Sequence, residues 1–196
     1  MIIAFSNRKG GVAKTSSTVN IGAALRELNH SVALFDIDPQ ENCGGASVIE
    51  AATAHDALHG AWARGFDFRL IDCPPSFNAE SRAALALADM VCIPLEPQGF
   101  AVEGLAKLLA TIHESQSRGR DLQYRVLLTM CDARKKEQRE FEVQIRDALG
   151  ALVLQATIPR AAAVEQANNR RVSVLEHAPK CAAANAYRAA AKELTG

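Results

Sequence analysis

Short apolar runs alternate along this chain with longer stretches in which apolar positions recur every three to four residues. The runs are Ile2–Phe5, Val32–Phe35, Phe68–Ile71, Met90–Ile93, Val126–Leu128 and Leu152–Ile158. Most are apolar at successive rather than alternate positions. A strand of that kind is buried on both faces, as in a parallel sheet covered by helices. The longer stretches are Lys14–Leu28, Val102–His113 and Glu137–Leu149, and their period is helical. Alanine-rich Pro179–Leu194 reads as a closing helix. The alternation predicts an α/β fold, a mostly parallel twisted sheet with helices on both faces. The least regular stretch is Asn42–Gly65.

Composition narrows the class. The chain has 196 residues, which suits one domain over 1–196 that needs no disulfide or structural metal to hold its core. Apolar residues make up 48% and charged ones 22%, which excludes a disordered or coiled-coil chain. Lys+Arg and Asp+Glu are 22 each, so any nucleic-acid contact has to come from a local basic patch. The cysteines, Cys43, Cys73, Cys92, Cys131 and Cys181, are odd in number and form no C-x-x-C pair. They read as reduced thiols rather than metal ligands or a disulfide framework. The opening run is too short for a secretory leader, and no apolar stretch is long enough to span a membrane. A cytoplasmic protein is expected.

The strongest chemical signal is Arg8-Lys9-Gly10-Gly11-Val12-Ala13-Lys14-Thr15-Ser16, between the first strand and the first helix. Gly10 and Gly11 let the backbone approach phosphate oxygens, and the helix N-terminus adds partial positive charge. Lys14 is placed to reach the β- and γ-phosphates, and Thr15 to ligate Mg²⁺. The strict phosphate-loop pattern has glycine where this chain has Arg8 and Ala13. Phosphate binding is the reading of the loop taken alone, and a glycine-rich turn ahead of a capped helix is its alternative.

Two later strands end in carboxylates. Val32–Asp38 delivers Asp36 and Asp38, two residues apart, followed by Pro39-Gln40. Arg69-Leu70-Ile71-Asp72-Cys73-Pro74-Pro75-Ser76 delivers Asp72, where a phosphate-loop protein keeps the aspartate near Mg²⁺. Carboxyl ends of parallel strands are where such sheets bind ligands.

With Lys9 ahead of its glycines, the loop resembles the deviant Walker A motif of the ParA/MinD family of P-loop ATPases. Asp36–Gln40 and Asp72–Ser76 resemble that family's next two motifs in order, and the likeness runs from Ile2 to about Leu194. The short spacing of Asp38 and Asp72 is most like the small plasmid-type ParA proteins. The resemblance implies that Lys9 reaches the partner's phosphates in a nucleotide-sandwich homodimer, that Asp38 positions the attacking water, and that Gly10, Gly11, Val12, Ala13, Lys14, Thr15 and Ser16 cradle ATP. Thr15, Asp38 and Asp72 lie toward Mg²⁺ on this reading. The family's switch asparagine aligns with Ala83. No N-K-x-D string is present, so adenine is the expected base. Thr129–Arg134 and Ala156–Arg160 resemble segments beside the adenine in relatives, which makes Met130 and Pro159 candidate base contacts. A core methionine and a strand-ending proline account for them equally well.

From Arg160 onward the chain carries a local excess of three positive charges. Relatives bind DNA without sequence preference through basic residues in this part, so Arg160, Arg170 and Arg171 are the candidate DNA contacts. A solvated helical face explains any one of them as well. Arg134–Arg139 is a second cluster, diluted by glutamates.

The function implied is an ATPase of plasmid or chromosome partitioning, associated with the nucleoid and stimulated by a ParB-like partner. A positioning ATPase for a protein cargo and a membrane-bound MinD-like ATPase are the alternatives. The closing helix offers mainly alanine, too weak for membrane insertion. A ligase of the same superfamily is disfavoured by Lys9, and an iron–sulfur electron donor by the cysteines. With nothing ahead of the first strand, the autoregulatory DNA-binding domain of larger relatives is not expected.

Overall fold

In a computed structural model the runs become strands: β1 (Ile2–Phe5), β2 (Val32–Asp36), β4 (Phe68–Asp72), β5 (Met90–Leu95), β6 (Gln123–Cys131) and β7 (Val153–Pro159). A short strand, β3 (Val48–Glu50), joins them from within the stretch that read as irregular. The structure describes residues 1–38, 48–50, 65–76, 78–99 and 101–196, with the backbone alone at 48–50 and 101–103. Most of 42–65, with Cys43, lies outside the described residues.

All described strand pairs are parallel, and the order is β3-β2-β4-β1-β5-β6-β7. From β1 the chain turns toward β2, and later steps across β1 from β4 to β5. That reversal opens a crevice beside the carboxyl end of β1, where open α/β sheets hold ligands. The register sets Phe5 beside Asp72, and Asp72 beside Asp36. Two carboxylates therefore come level with the residue from which the glycine loop departs.

The doubly apolar strands split their side chains between two cores. Ala4, Phe35, Ile71, Val91 and Ile93 face α2 (Ala79–Leu87), α3 (Ala101–Ser117) and α4 (Lys136–Leu149). Ile3, Phe5, Leu34, Leu70 and Cys92 face α1 (Lys14–Glu27), α5 (Ala162–Asn169), α6 (Val174–His177) and α7 (Ala182–Thr195). Helices on both faces of one parallel sheet are the architecture expected from sequence. Gly22 lets α1 approach closely, since a Cβ there would stand 2.6 Å from Leu34 Cδ2.

The apolar residues of α7, among them Tyr187, Ala190, Ala191 and Leu194, are buried against α1 and β7 rather than presented outward. No described helix is long and apolar enough to cross a membrane.

Candidate nucleotide site

The loop after β1 is held by side chains from three directions. Asn7, fully buried, donates its amide to the Pro94 carbonyl at 2.7 Å and accepts the Lys9 N–H at 3.0 Å. Thr129, at the far end of β6, donates to the Val12 carbonyl at 3.1 Å. The Lys14 ammonium donates back to the Lys9 carbonyl at 3.3 Å. Such support fixes the backbone before any ligand arrives.

The helix that follows begins without a side-chain cap. Its N-cap, Ala13, stands at φ 61°, ψ 35°, and no acidic residue occupies the first turn. The Ser17 N–H to Ala13 carbonyl bond starts the ladder. The N–H groups of Lys14, Thr15 and Ser16 thus precede it, at the positive end of the helix dipole. Gly11 takes φ 72°, and a Cβ on Gly10 or Gly11 would meet nothing within 4 Å. The loop therefore borders open space and is lined by donors, with no acid in the first turn of its own helix, which is what an anion requires.

Three motifs separated in sequence meet at this point. Thr15 Oγ1 donates to Asp72 Oδ2 at 2.6 Å, and Thr18 Oγ1 lies 3.4 Å from Asp72 Oδ1. Asp36 accepts the Asp38 N–H at 2.9 Å, which turns the chain and leaves the Asp38 charge close enough to act on the Lys14 ammonium. Burial pulls the Lys14 ammonium below its ordinary pKa, while Asp72 and Asp38 oppose that fall. Mg²⁺ in phosphate sites is held by one or two carboxylates, substrate phosphates and water rather than by a protein cage. Thr15 and Asp72, paired at the loop's mouth, fit that donor set. No group of three or more acidic, histidine or cysteine side chains suited to a metal occurs among the described residues.

A cleft of about 240 Å³ continues from the loop. Gly11, Ala13 and Ser16 form its loop side, and Met130, Pro159 and Val164 are among its apolar walls. Glu165 and Asn168 bring polar groups to it from α5. Met130 and Pro159, the sequence candidates for base contact, both line this cleft.

Arg160 also lines the cleft, and its guanidinium donates to Glu96 at 2.9 Å. Of the residues grouped as candidate DNA contacts, it is thus already committed to an ion pair at the cleft. Arg170 and Arg171 are exposed at the carboxyl end of α5, with Arg171 in left-handed backbone at φ 56°. In the second basic cluster, Arg134 is folded back on Asp132 through three hydrogen bonds. Sequence reading missed the supporting roles of Asn7, Thr18, Asn20 and Asn168. Asn7 carries a usable signal, a buried polar residue just beyond a strand's carboxyl end.

Comparison with known proteins fits this arrangement. The CobQ/CobB/MinD/ParA nucleotide-binding domain family matches residues 3–174. The chromosome-partitioning protein ParA of Caulobacter vibrioides is 32% identical, over 98% of this chain and 93% of that protein. The chromosome-partitioning ATPase Soj of Thermus thermophilus is 31% identical, over 98% of this chain and 94% of that protein. A cobyrinic acid a,c-diamide synthase from Mycobacterium smegmatis, solved with a bound ATP analogue and magnesium, is 27% identical at a TM-score of 0.77, over 99% of this chain and 93% of that one. The cell-division ATPase MinD of Pyrococcus furiosus shares the fold at a TM-score of 0.80 and 18% identity, over 99% of this chain and 98% of that one. With its loop, its strand-end aspartates and this extent of match, the chain belongs to the CobQ/CobB/MinD/ParA family of nucleotide-binding domains.

Proposed function

We propose that this chain is a Mg²⁺-dependent ATPase of the DNA-partitioning type, forming an ATP-dependent homodimer that binds DNA without sequence preference in the cytoplasm. A ParB-like partner stimulates hydrolysis and so releases the DNA. The observation that carries the nucleotide reading is the uncapped start of α1, with Lys14 across the loop and Thr15 bonded to Asp72. The partitioning reading is supported by the Soj and ParA relatives, which match nearly the whole chain.

On this reading Lys14 and the loop N–H groups hold the phosphates. Lys9, whose backbone is fixed through Asn7, reaches the partner's nucleotide. Asp38, whose charge acts on Lys14, orients the attacking water. Mg²⁺, when bound by Thr15, Asp72 and phosphate oxygens, supplies charge neutralisation at the transferring group. Positioning and electrostatics account for the rate, and no covalent intermediate on the protein is required. Met130 and Pro159 border the adenine, and Arg170 and Arg171 carry DNA contact. Arg160 contributes to DNA only where its bond to Glu96 opens.

Closing a dimer doubles the basic surface, so two weak patches act as one bivalent patch. DNA affinity should therefore appear with a non-hydrolysed ATP analogue, be poor with ADP, and fall steeply with salt. Replacing Arg170 and Arg171 together by Glu should lower affinity and flatten the salt slope while leaving ATP-dependent dimerisation intact. A salt titration of DNA affinity decides. An unchanged double variant moves the patch to Arg134–Arg139, and a wild type that ignores DNA at low salt removes the DNA reading in favour of a protein or membrane scaffold.

A further inference from the structure

Ser16 is tied to two places outside the phosphate loop. Its hydroxyl accepts the Asn168 amide at 2.8 Å, from the last turn of α5. Its backbone carbonyl accepts the Asn20 side-chain amide at 2.6 Å, and the Asn20 side-chain oxygen Oδ1 accepts the Val174 N–H at 2.6 Å, at the start of α6. Both ends of the segment between Asn168 and Val174 are thus anchored on the phosphate helix, one on Ser16 and the other on Asn20, which itself bonds Ser16. That segment carries Arg170 and Arg171.

The turn between the anchors is not relaxed. The Arg171 N–H donates to the Asn168 carbonyl and the Val172 N–H to the Ala167 carbonyl, a helix-ending pattern that suits glycine. Arginine occupies its left-handed position instead, at φ 56°. A residue with a Cβ stays there only while its surroundings over-determine it. Arg170 is braced in turn against His177, whose other ring nitrogen meets Gln166.

Ser16 and Asn168 also line the cleft beside the loop. The Ser16 oxygen accepts from Asn168, so its own O–H is left to donate. A nucleotide phosphate oxygen is a charged acceptor, and such acceptors bind roughly twice as strongly as neutral ones. An anion near Ser16 therefore competes with the serine for the Asn168 amide and draws on the Ser16 proton.

We propose that Asn168 is a positioning residue that transmits nucleotide occupancy from Ser16 to the Arg170–Arg171 turn. The inference rests on the nucleotide reading of the loop. It adds that the exposed arginines respond to nucleotide within a single protomer, before any dimer forms.

Amide hydrogen exchange tests this on the full chain at protomer concentrations too low for dimers, with Mg-ADP as the probe. In wild type, saturating nucleotide should slow exchange at the start of α1 and change it at least about fivefold at residues 170–172. Asn168→Ala should keep the response at α1 and lose the one at 170–172. Ser16→Ala removes a hydroxyl of the phosphate cradle and weakens binding itself, so it is read only at nucleotide concentrations that saturate α1; there it should lose the response at 170–172, and the double variant should add nothing further at those residues. A response at 170–172 that survives Asn168→Ala overturns the coupling, as does a wild type whose α1 responds while 170–172 does not. A wild type with no response anywhere removes the nucleotide reading and this inference with it.

Discussion

Ala13 stands in left-handed backbone where glycine would carry no steric penalty. The departure from the glycine pattern noted in the sequence is thus a local strain, borne by the loop that Asn7 and Thr129 hold. Ala13→Gly should raise stability by about 0.5–1 kcal/mol, less than the full left-handed penalty because glycine also frees the unfolded chain. Denaturant midpoints at constant slope would show it, and a lower midpoint would contradict the strain. The residues of the loop were legible because they occur as one string with a known physical task. Asn7, Thr129 and Asn168 were not, because each partner lies 87, 117 or 152 positions away. A single polar residue has no periodicity, and only the fold shows what it reaches.

At the scale of elements, α1 and α7 pack together and are joined at the surface by a two-bond fork. Arg188 donates to both oxygens of Glu27, at 2.6 and 2.9 Å. The bonds from Arg188 hold the Glu27 carboxyl below its ordinary 4.5, although some burial opposes them. A depressed carboxyl stabilises the fold in full above its unfolded value, and the effect is lost as pH falls through the folded value. The pair is half in solvent, so screening limits it to about 0.5–1 kcal/mol. The stability gap between wild type and Glu27→Gln should be constant from pH 6 to 8, where the carboxyl is ionised in both the folded and unfolded chain, about 0.5–1 kcal/mol in size, and shrink below about pH 4.5. A gap that widens on acidification would contradict the assignment.

The edge strand β7 is guarded in a similar way. Glu193 accepts the N–H groups of Gln155 and Ala156, and Arg146 donates to the carbonyls of Leu154 and Gln155. The ladder to β6 shifts register along this stretch, so its outward groups need partners. The strands were readable in sequence because burial on both faces leaves unbroken apolar runs. β6 extends beyond its expected Val126–Leu128 because its ends, Gln123 to Arg125 and Thr129 to Cys131, interrupt that signal with polar residues. Three residues of β3 are too few to show a period, and the eight residues of α5 cover barely two turns.

For the molecule as a whole, the sheet order brings together chemistry scattered over the first 72 residues and sets it beside a cleft whose far walls come from the second half. The proposed ATP cycle then separates two residues by role. Lys9→Ala should bind nucleotide but fail to dimerise productively, whereas Asp38→Ala should accumulate as an ATP-bound dimer. Light scattering with ATP would distinguish them, and a monomeric Asp38→Ala or a Lys9→Ala dimer with normal turnover would contradict these roles. Every one of these roles depends on nucleotide binding at the α1 start, which titration calorimetry of Mg-ATP into wild type and Lys14→Ala measures. Wild type should bind saturably, and removing the buried ammonium should cost at least about 2 kcal/mol, roughly thirtyfold in Kd, with the circular dichroism unchanged. Equal affinities in the two folded proteins would contradict it.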